Sequence, residues 1–225
     1  MPTKNEDLHG MVPDKSTVAL VLLDVINDLE FDGADKLLPH ALKMADNLAA
    51  LIGRARKAKI PVVYVNDNYG RWQSDFNKII DRCLREDVRG KPFVERLRPE
   101  EEDYFVLKPK HSGFFSTTLD ILLDYLGAKR LIICGIAGNI CVLFTANDAY
   151  MRDFELFVPE DCVASNTEEI NRLAVEQIRD VLKANTSPSG ELDLEAMHRE
   201  APSGERSGNA GGSRQFTQRP EPARP

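Results

Sequence analysis

Val18-Ala-Leu-Val-Leu-Leu-Asp24 is a run of six apolar residues closed by a carboxylate. Such a run has no polar side to offer to water, so it reads as a strand covered on both faces, the pattern of a parallel sheet with helices on either side. The residues that follow fit that reading. From about Lys36 to Lys59, Leu37, Leu38, Ala41, Met44, Ala45, Leu48, Leu51 and Ile52 recur at three- and four-residue spacing, which is one apolar stripe of a helix. Ile60-Pro-Val-Val-Tyr-Val-Asn66 then returns to strand. Further apolar runs at Tyr104–Leu107, Leu131–Cys134 and Glu155–Val158 alternate with helical patterns around Asp75–Leu84, Thr117–Leu126, Asn139–Arg152 and Thr167–Leu182. Alternation of this kind predicts an α/β fold of βαβ units with right-handed crossovers and helices on both faces of the sheet.

With 225 residues, 42% hydrophobic and 29% charged, the chain supports one domain with a full core. The expected domain is 1–185. From 186 to 225 the composition shifts to Ser, Gly, Pro, Arg and Glu, with Phe216 as the one aromatic residue, so this tail is expected to be largely disordered, with a short helical turn near Leu192–Met197. A net charge of −7 argues against a nucleic-acid or anionic-membrane partner. No apolar run approaches the roughly 20 residues of a membrane helix. The expectation is a cytoplasmic protein with a small-molecule partner. Cys83, Cys134, Cys141 and Cys162 lack CxxC spacing and read as reduced thiols, with Cys134 and Cys162 serving to pack the interior.

Every strand of a parallel sheet points its carboxyl end to one edge, where ligands bind. The residues at those ends are Asp24, Asn66-Asp67-Asn68, Lys108, and Gly135 leading to Cys141. Cys141 falls on the first turn of a helix. There the helix dipole favours a thiolate, and the backbone N–H groups can hold an oxyanion. Asp24 can take the thiol proton and Lys108 can balance charge. Each residue also has a structural reading: Asp24 as a turn or cap residue, Lys108 as a solvated surface lysine, Cys141 as an inert thiol. His111 offers a rival Cys–His pair. The run Arg98-Pro-Glu-Glu-Glu-Asp103 reads as a solvated charge patch, and Asn68, Arg71 and Trp72 leave the second strand close enough to the edge to touch a substrate, with Trp72 reading equally as a subunit-interface or core residue.

Three blocks, Leu22-Leu-Asp-Val-Ile-Asn-Asp28, Leu107-Lys-Pro-Lys-His-Ser-Gly-Phe-Phe-Ser-Thr-Thr-Leu119 and Gly135-Ile-Ala-Gly-Asn-Ile-Cys-Val-Leu-Phe-Thr-Ala-Asn-Asp-Ala-Tyr-Met-Arg-Asp153, make the chain resemble the isochorismatase-like cysteine hydrolases. That group includes nicotinamidases and ureidoacrylate amidohydrolases, and the resemblance spans about residues 16–184. It implies a three-layer α/β/α sandwich around a mostly parallel six-stranded sheet, and a Cys–Asp–Lys triad that falls on Cys141, Asp24 and Lys108. Lys108 is preferred to Lys110 because the family's lysine stands four residues before the serine matching Ser112. The resemblance further implies a non-proline cis peptide between Ile136 and Ala137, an oxyanion hole from the N–H groups of Ala137 and Cys141, and a homodimer or homotetramer. Candidate substrate contacts are Asn68, Trp72 and Phe114. The Asp and His cluster of metal-binding nicotinamidases has no counterpart in Asp67-Asn-Tyr-Gly-Arg-Trp72, so neither a metal nor another cofactor is expected. The chemistry implied is metal-independent hydrolysis of a small amide through a thioester. Vinyl-ether hydrolysis of the isochorismatase type, a non-catalytic small-molecule-binding role and a redox role for Cys141 are the alternatives.

Overall fold

A computed structural model describes residues 15–70, 75–85 and 87–199. The elements run β1 (Val18–Leu23), α1 (Ala34–Lys57), β2 (Val62–Asp67), α2 (Phe76–Arg85), α3 (Lys91–Arg96), β3 (Tyr104–Lys108), α4 (Leu119–Leu126), β4 (Arg130–Ile136), a π-turn (Gly138–Val142), α5 (Leu143–Tyr150), β5 (Glu155–Phe157), β6 (Val163–Ala164), α6 (Glu168–Leu182) and α7 (Leu194–Arg199). The sheet has six strands in the order β3-β2-β1-β4-β5, with β6 also paired to β4, and every recorded pairing is parallel.

The period of two along each strand divides the core. Val18, Leu20 and Leu22 of β1 face one side with Val62, Tyr64, Ile132 and Cys134, against the apolar stripe of α1 and residues of α2 and α3. Ala19, Val21 and Leu23 face the other with Val63, Val65, Leu131 and Ile133, against α4, α5 and α6. All six β1 side chains are buried, so the strand sits at the centre of a three-layer α/β/α sandwich, as its unbroken apolar run requires. No helix of the described residues is long and apolar enough to cross a membrane.

The packed chain runs past the boundary expected at 185. Asn185 bridges to β5, donating its N–H to Leu156 O at 2.9 Å and accepting from Val158 N–H at 2.8 Å. Ser189–Glu191 forms a 3-10 turn and α7 follows. Leu192, Leu194 and Met197 are buried in the α1-side core. The composition of the segment is polar on average, but three apolar side chains at the right spacing are enough to dock it. The rest of the expected tail, 200–225, lies outside the described residues, as do Arg71 and Trp72. The acidic run near residue 100 is also more than a solvated patch, because Arg56 of α1 pairs with Glu100 at 2.7 Å and with Asp103.

Candidate active site

The carboxyl edge of the sheet gathers the site. β1 ends at Leu23, which lies in register with Gly135 of β4. Gly135 has φ 119°, and a Cβ there would stand 2.2 Å from Leu23 O, so only glycine lets these two strand ends meet. Asp24 follows at φ 52°, an uncommon conformation for a non-glycine residue, which turns its carboxylate across the strand ends. Its Oδ1 accepts the Asp67 N–H at 2.7 Å, and its Oδ2 lies 2.9 Å from Lys108 Nζ.

Lys108 closes β3. Its side chain is 0% exposed, which rules out the surface reading, whereas Lys110 is exposed. The ammonium donates to Cys141 Sγ at 3.5 Å, and the Cys141 thiol is hydrogen-bonded to the Asp24 carboxylate. Thiol, ammonium and carboxylate therefore touch one another. His111 is exposed, its ring 5.5 Å from Phe144, and the recorded partners of Cys141 are Lys108 and Asp24.

The turn that carries Cys141 is built tightly. The peptide bond between Ile136 and Ala137 is cis. Ala137 O accepts from Ile140 N–H at 3.0 Å and from Val142 N–H at 3.2 Å, winding the chain into the π-turn that carries Cys141. Ser165 supports this turn from behind: its hydroxyl accepts from Asn139 N–H at 3.2 Å and donates to Asn171 Oδ1 at 3.0 Å. Asn171 in turn donates to Val163 O at 3.0 Å. A Cβ on Gly138 would sit 2.5 Å from Asn171 Oδ1 and 2.6 Å from Val163 Cγ1, so a larger residue here would have to push these side chains aside. The block that includes Ser112 and Gly113 clamps the next helix: the Ser112 hydroxyl bonds Asp148, and Gly113 N–H donates to Thr145 Oγ1 at 2.9 Å.

Electrostatics correct one expectation. Cys141 is only 9% exposed, and burial, reinforced by the negative charge of Asp24, pushes its pKa up to about 12 against the opposing pull of Lys108. At rest it is a thiol, because desolvation here outweighs any help from a helix terminus. Burial also raises the Asp24 pKa above the ordinary 3.8, although Lys108 and the Cys141 hydrogen bond act against it. Burial works to lower the Lys108 pKa, but Asp24 first and then Cys141 and Asp67 outweigh it, so the group stays an ammonium.

Of the candidate substrate contacts, Asn68 is buried, its Oδ1 accepting from Gly70 N–H at 2.9 Å. Phe114 is a core residue, 5% exposed, with its ring 6.1 Å from Phe154 and under the Arg152 guanidinium at 4.6 Å; the apolar layer beneath α5 claims it. Trp72 lies outside the described residues. Asp67, read from the sequence as one of three residues at the end of the second strand, lies directly opposite Lys108 in the β2–β3 register, with Oδ2 3.7 Å from the ammonium. Among the described residues, no group of three or more His, Cys, Asp or Glu could hold a metal ion.

This α/β sandwich has relatives in both sequence and fold. Residues 18–187 match the isochorismatase domain family. The chain is 42% identical over 178 residues to the isochorismatase family protein YaaI of Bacillus subtilis (strain 168), covering 79% of this chain and 97% of that one. It is 32% identical to the ureidoacrylate amidohydrolase RutB of Acinetobacter baylyi (strain ATCC 33305 / BD413 / ADP1), covering 72% and 76%. The solved structure of N-carbamoylsarcosine amidase from Thermoplasma acidophilum superposes with a TM-score of 0.62 at 27% identity, covering 79% of this chain and 99% of that one. The chain belongs to the isochorismatase family.

Proposed function

We propose that this protein is a metal-independent cysteine hydrolase that cleaves the C–N bond of a small amide through a thioester. The observation that carries this reading is the contact of Lys108 Nζ with both Cys141 Sγ, at 3.5 Å, and Asp24 Oδ2, at 2.9 Å. Relatives named as amidohydrolase and amidase support the reaction class.

A thiol with a pKa near 12 is a poor nucleophile until its proton is removed. Asp24, already hydrogen-bonded to the thiol, accepts that proton as Sγ attacks the carbonyl carbon. The new C–S bond leaves an oxyanion, which the N–H groups of Ala137 and Cys141 stabilise. Collapse of this intermediate breaks the C–N bond, and protonated Asp24 returns its proton to the departing nitrogen. Water, deprotonated by Asp24, then attacks the thioester and releases the acid and the thiol. Lys108 keeps a positive charge beside whichever of Asp24 and Cys141 is anionic, so proton transfer between them never leaves an unbalanced charge in the buried site.

Wild-type protein incubated with a panel of small amides should release ammonia or amine and show a transient acyl adduct by intact mass. Silence across the panel, with no adduct on well-folded protein, would remove the reading. The pH dependence has a defined sign. Asp24 must be ionised to take the thiol proton, and its pKa is raised, so kcat/KM should fall on the acid side through a limb above 3.8. An acid limb at or below the ordinary aspartate value would show that Asp24 is not the base.

A further inference from the structure

Asp67 closes β2 in register with Lys108, yet the reaction outlined above gives its side chain no task. Its Oδ2 stands 3.7 Å from the Lys108 ammonium, too far for a hydrogen bond, while Asp24 holds that ammonium at 2.9 Å. Its Oδ1 accepts the Tyr69 N–H at 2.6 Å. A carboxylate has about four lone-pair positions, and among the described residues this backbone N–H is the one hydrogen-bond donor recorded on it. The side chain is 35% exposed where those of Lys108 and Asp24 are 0% and 7%. Among the described residues of the catalytic cluster, the group facing outward is therefore a carboxylate.

The charge count points the same way. Lys108 is one cation between two carboxylates, and Cys141 at rest is an uncharged thiol, so these four groups carry one negative charge in excess. Tyr69, next but one along the chain, is 42% exposed as a residue, and its hydroxyl sits in a negative field. Burial, followed by the charges of Asp24 and Asp28, pushes that hydroxyl's pKa up, and Asp67 contributes to the same field. An outward-facing carboxylate in a site of net negative charge receives cationic or N–H-rich groups and repels anionic ones.

Resting on the hydrolase reading, we propose that Asp67 is a specificity-determining residue of this site: it accepts hydrogen bonds from a positively charged or N–H-bearing group beyond the scissile carbonyl, and it disfavours substrates with a carboxylate there. The substrate class is then a small amide carrying an ammonium or a second N–H donor, rather than a dicarboxylate.

Three amides of matched length test this: β-alaninamide with an ammonium, butyramide with a methyl, and succinamate with a carboxylate. Binding is measured by calorimetry on Cys141→Ala protein, with and without Asp67→Asn, so the readout does not depend on turnover. The Asp67 parent should bind β-alaninamide at least roughly tenfold more tightly than succinamate, and Asp67→Asn should erase most of that ratio. High salt should narrow the ratio in the parent, which gives a second readout that needs no substitution at Asp67. An unchanged ranking in Asp67→Asn, or a parent that prefers succinamate, overturns the proposal. An equal loss for all three amides overturns it too, because it would mean that Asp67 only holds Lys108 in place. Failure of the hydrolase reading looks different: wild-type protein then yields neither product nor acyl adduct, whatever the ranking of the binding constants.

Discussion

Cys141→Ala protein should lose amide hydrolysis by a factor of about 10⁴ or more, the scale on which nucleophile removal acts in covalent hydrolases. No other described group can replace the nucleophile. Asp24 is committed to Lys108 and to the Asp67 N–H, and His111 is exposed with its ring against Phe144. Folding should survive, because the change removes one sulfur from a small side chain and leaves the Asp24–Lys108 pair intact; a cost of about 1 kcal/mol is the usual scale for a mild core truncation. The measurements are ammonia release and thermal melting on the same preparation. Retained hydrolysis in pure mutant protein would sink the nucleophile assignment. Cys141→Ser separates the remaining chemistry. A serine hydroxyl is harder still to ionise than the thiol, so an amidase should be nearly silent, whereas vinyl-ether hydrolysis, which needs an acid and not a nucleophile, should keep much of its rate.

That prediction rests on residues the chain announces early. Val18–Leu23 is so uniformly apolar that it must lie in the middle of a covered sheet, and a central parallel strand fixes where its terminal carboxylate points. Lys108 and Cys141 were legible for the same reason, since each follows an apolar run and so shares that edge. The protonation of Cys141 was not legible. The sequence places the thiol on the first turn of a helix, which suggests a depressed pKa, but not the burial that reverses the shift. Asp67 was legible as a residue of this edge but not as a neighbour of Lys108. Its partner is 41 positions away, and only the register of β2 with β3 sets the two side by side. Phe114 shows a further limit: it stands in a block rich in site residues, yet a single aromatic side chain does not declare whether it lines a pocket or the layer beneath it.

The same limit explains the domain boundary, where a large effect on stability is expected. A chain cut after Asn185 should be less stable than one ending at Arg199 by about 3 kcal/mol or more, a melting temperature lower by roughly 6–12 °C for a domain of this size. The cut removes Leu192, Leu194 and Met197, which are 5%, 4% and 9% exposed, and uncovers the α1-side apolar surface beneath them. It also takes hydrogen-bond partners from groups held elsewhere in the fold. Arg54 loses Ser189 O at 2.8 Å and Leu192 O, Arg130 loses Met197 O at 2.7 Å, and Asp161 loses the Ser189 N–H at 2.7 Å and hydroxyl at 2.8 Å. Arg130 is 3% exposed and keeps its pair with Glu155 at 2.8 Å, so it is weakened rather than stranded. Leu194→Ala in the longer chain isolates the apolar part and should cost about 2–4 kcal/mol by itself. Equal melting temperatures for the chains ending at 185 and 199 would mean that the segment adds no net stability. The domain would then close where composition alone suggested.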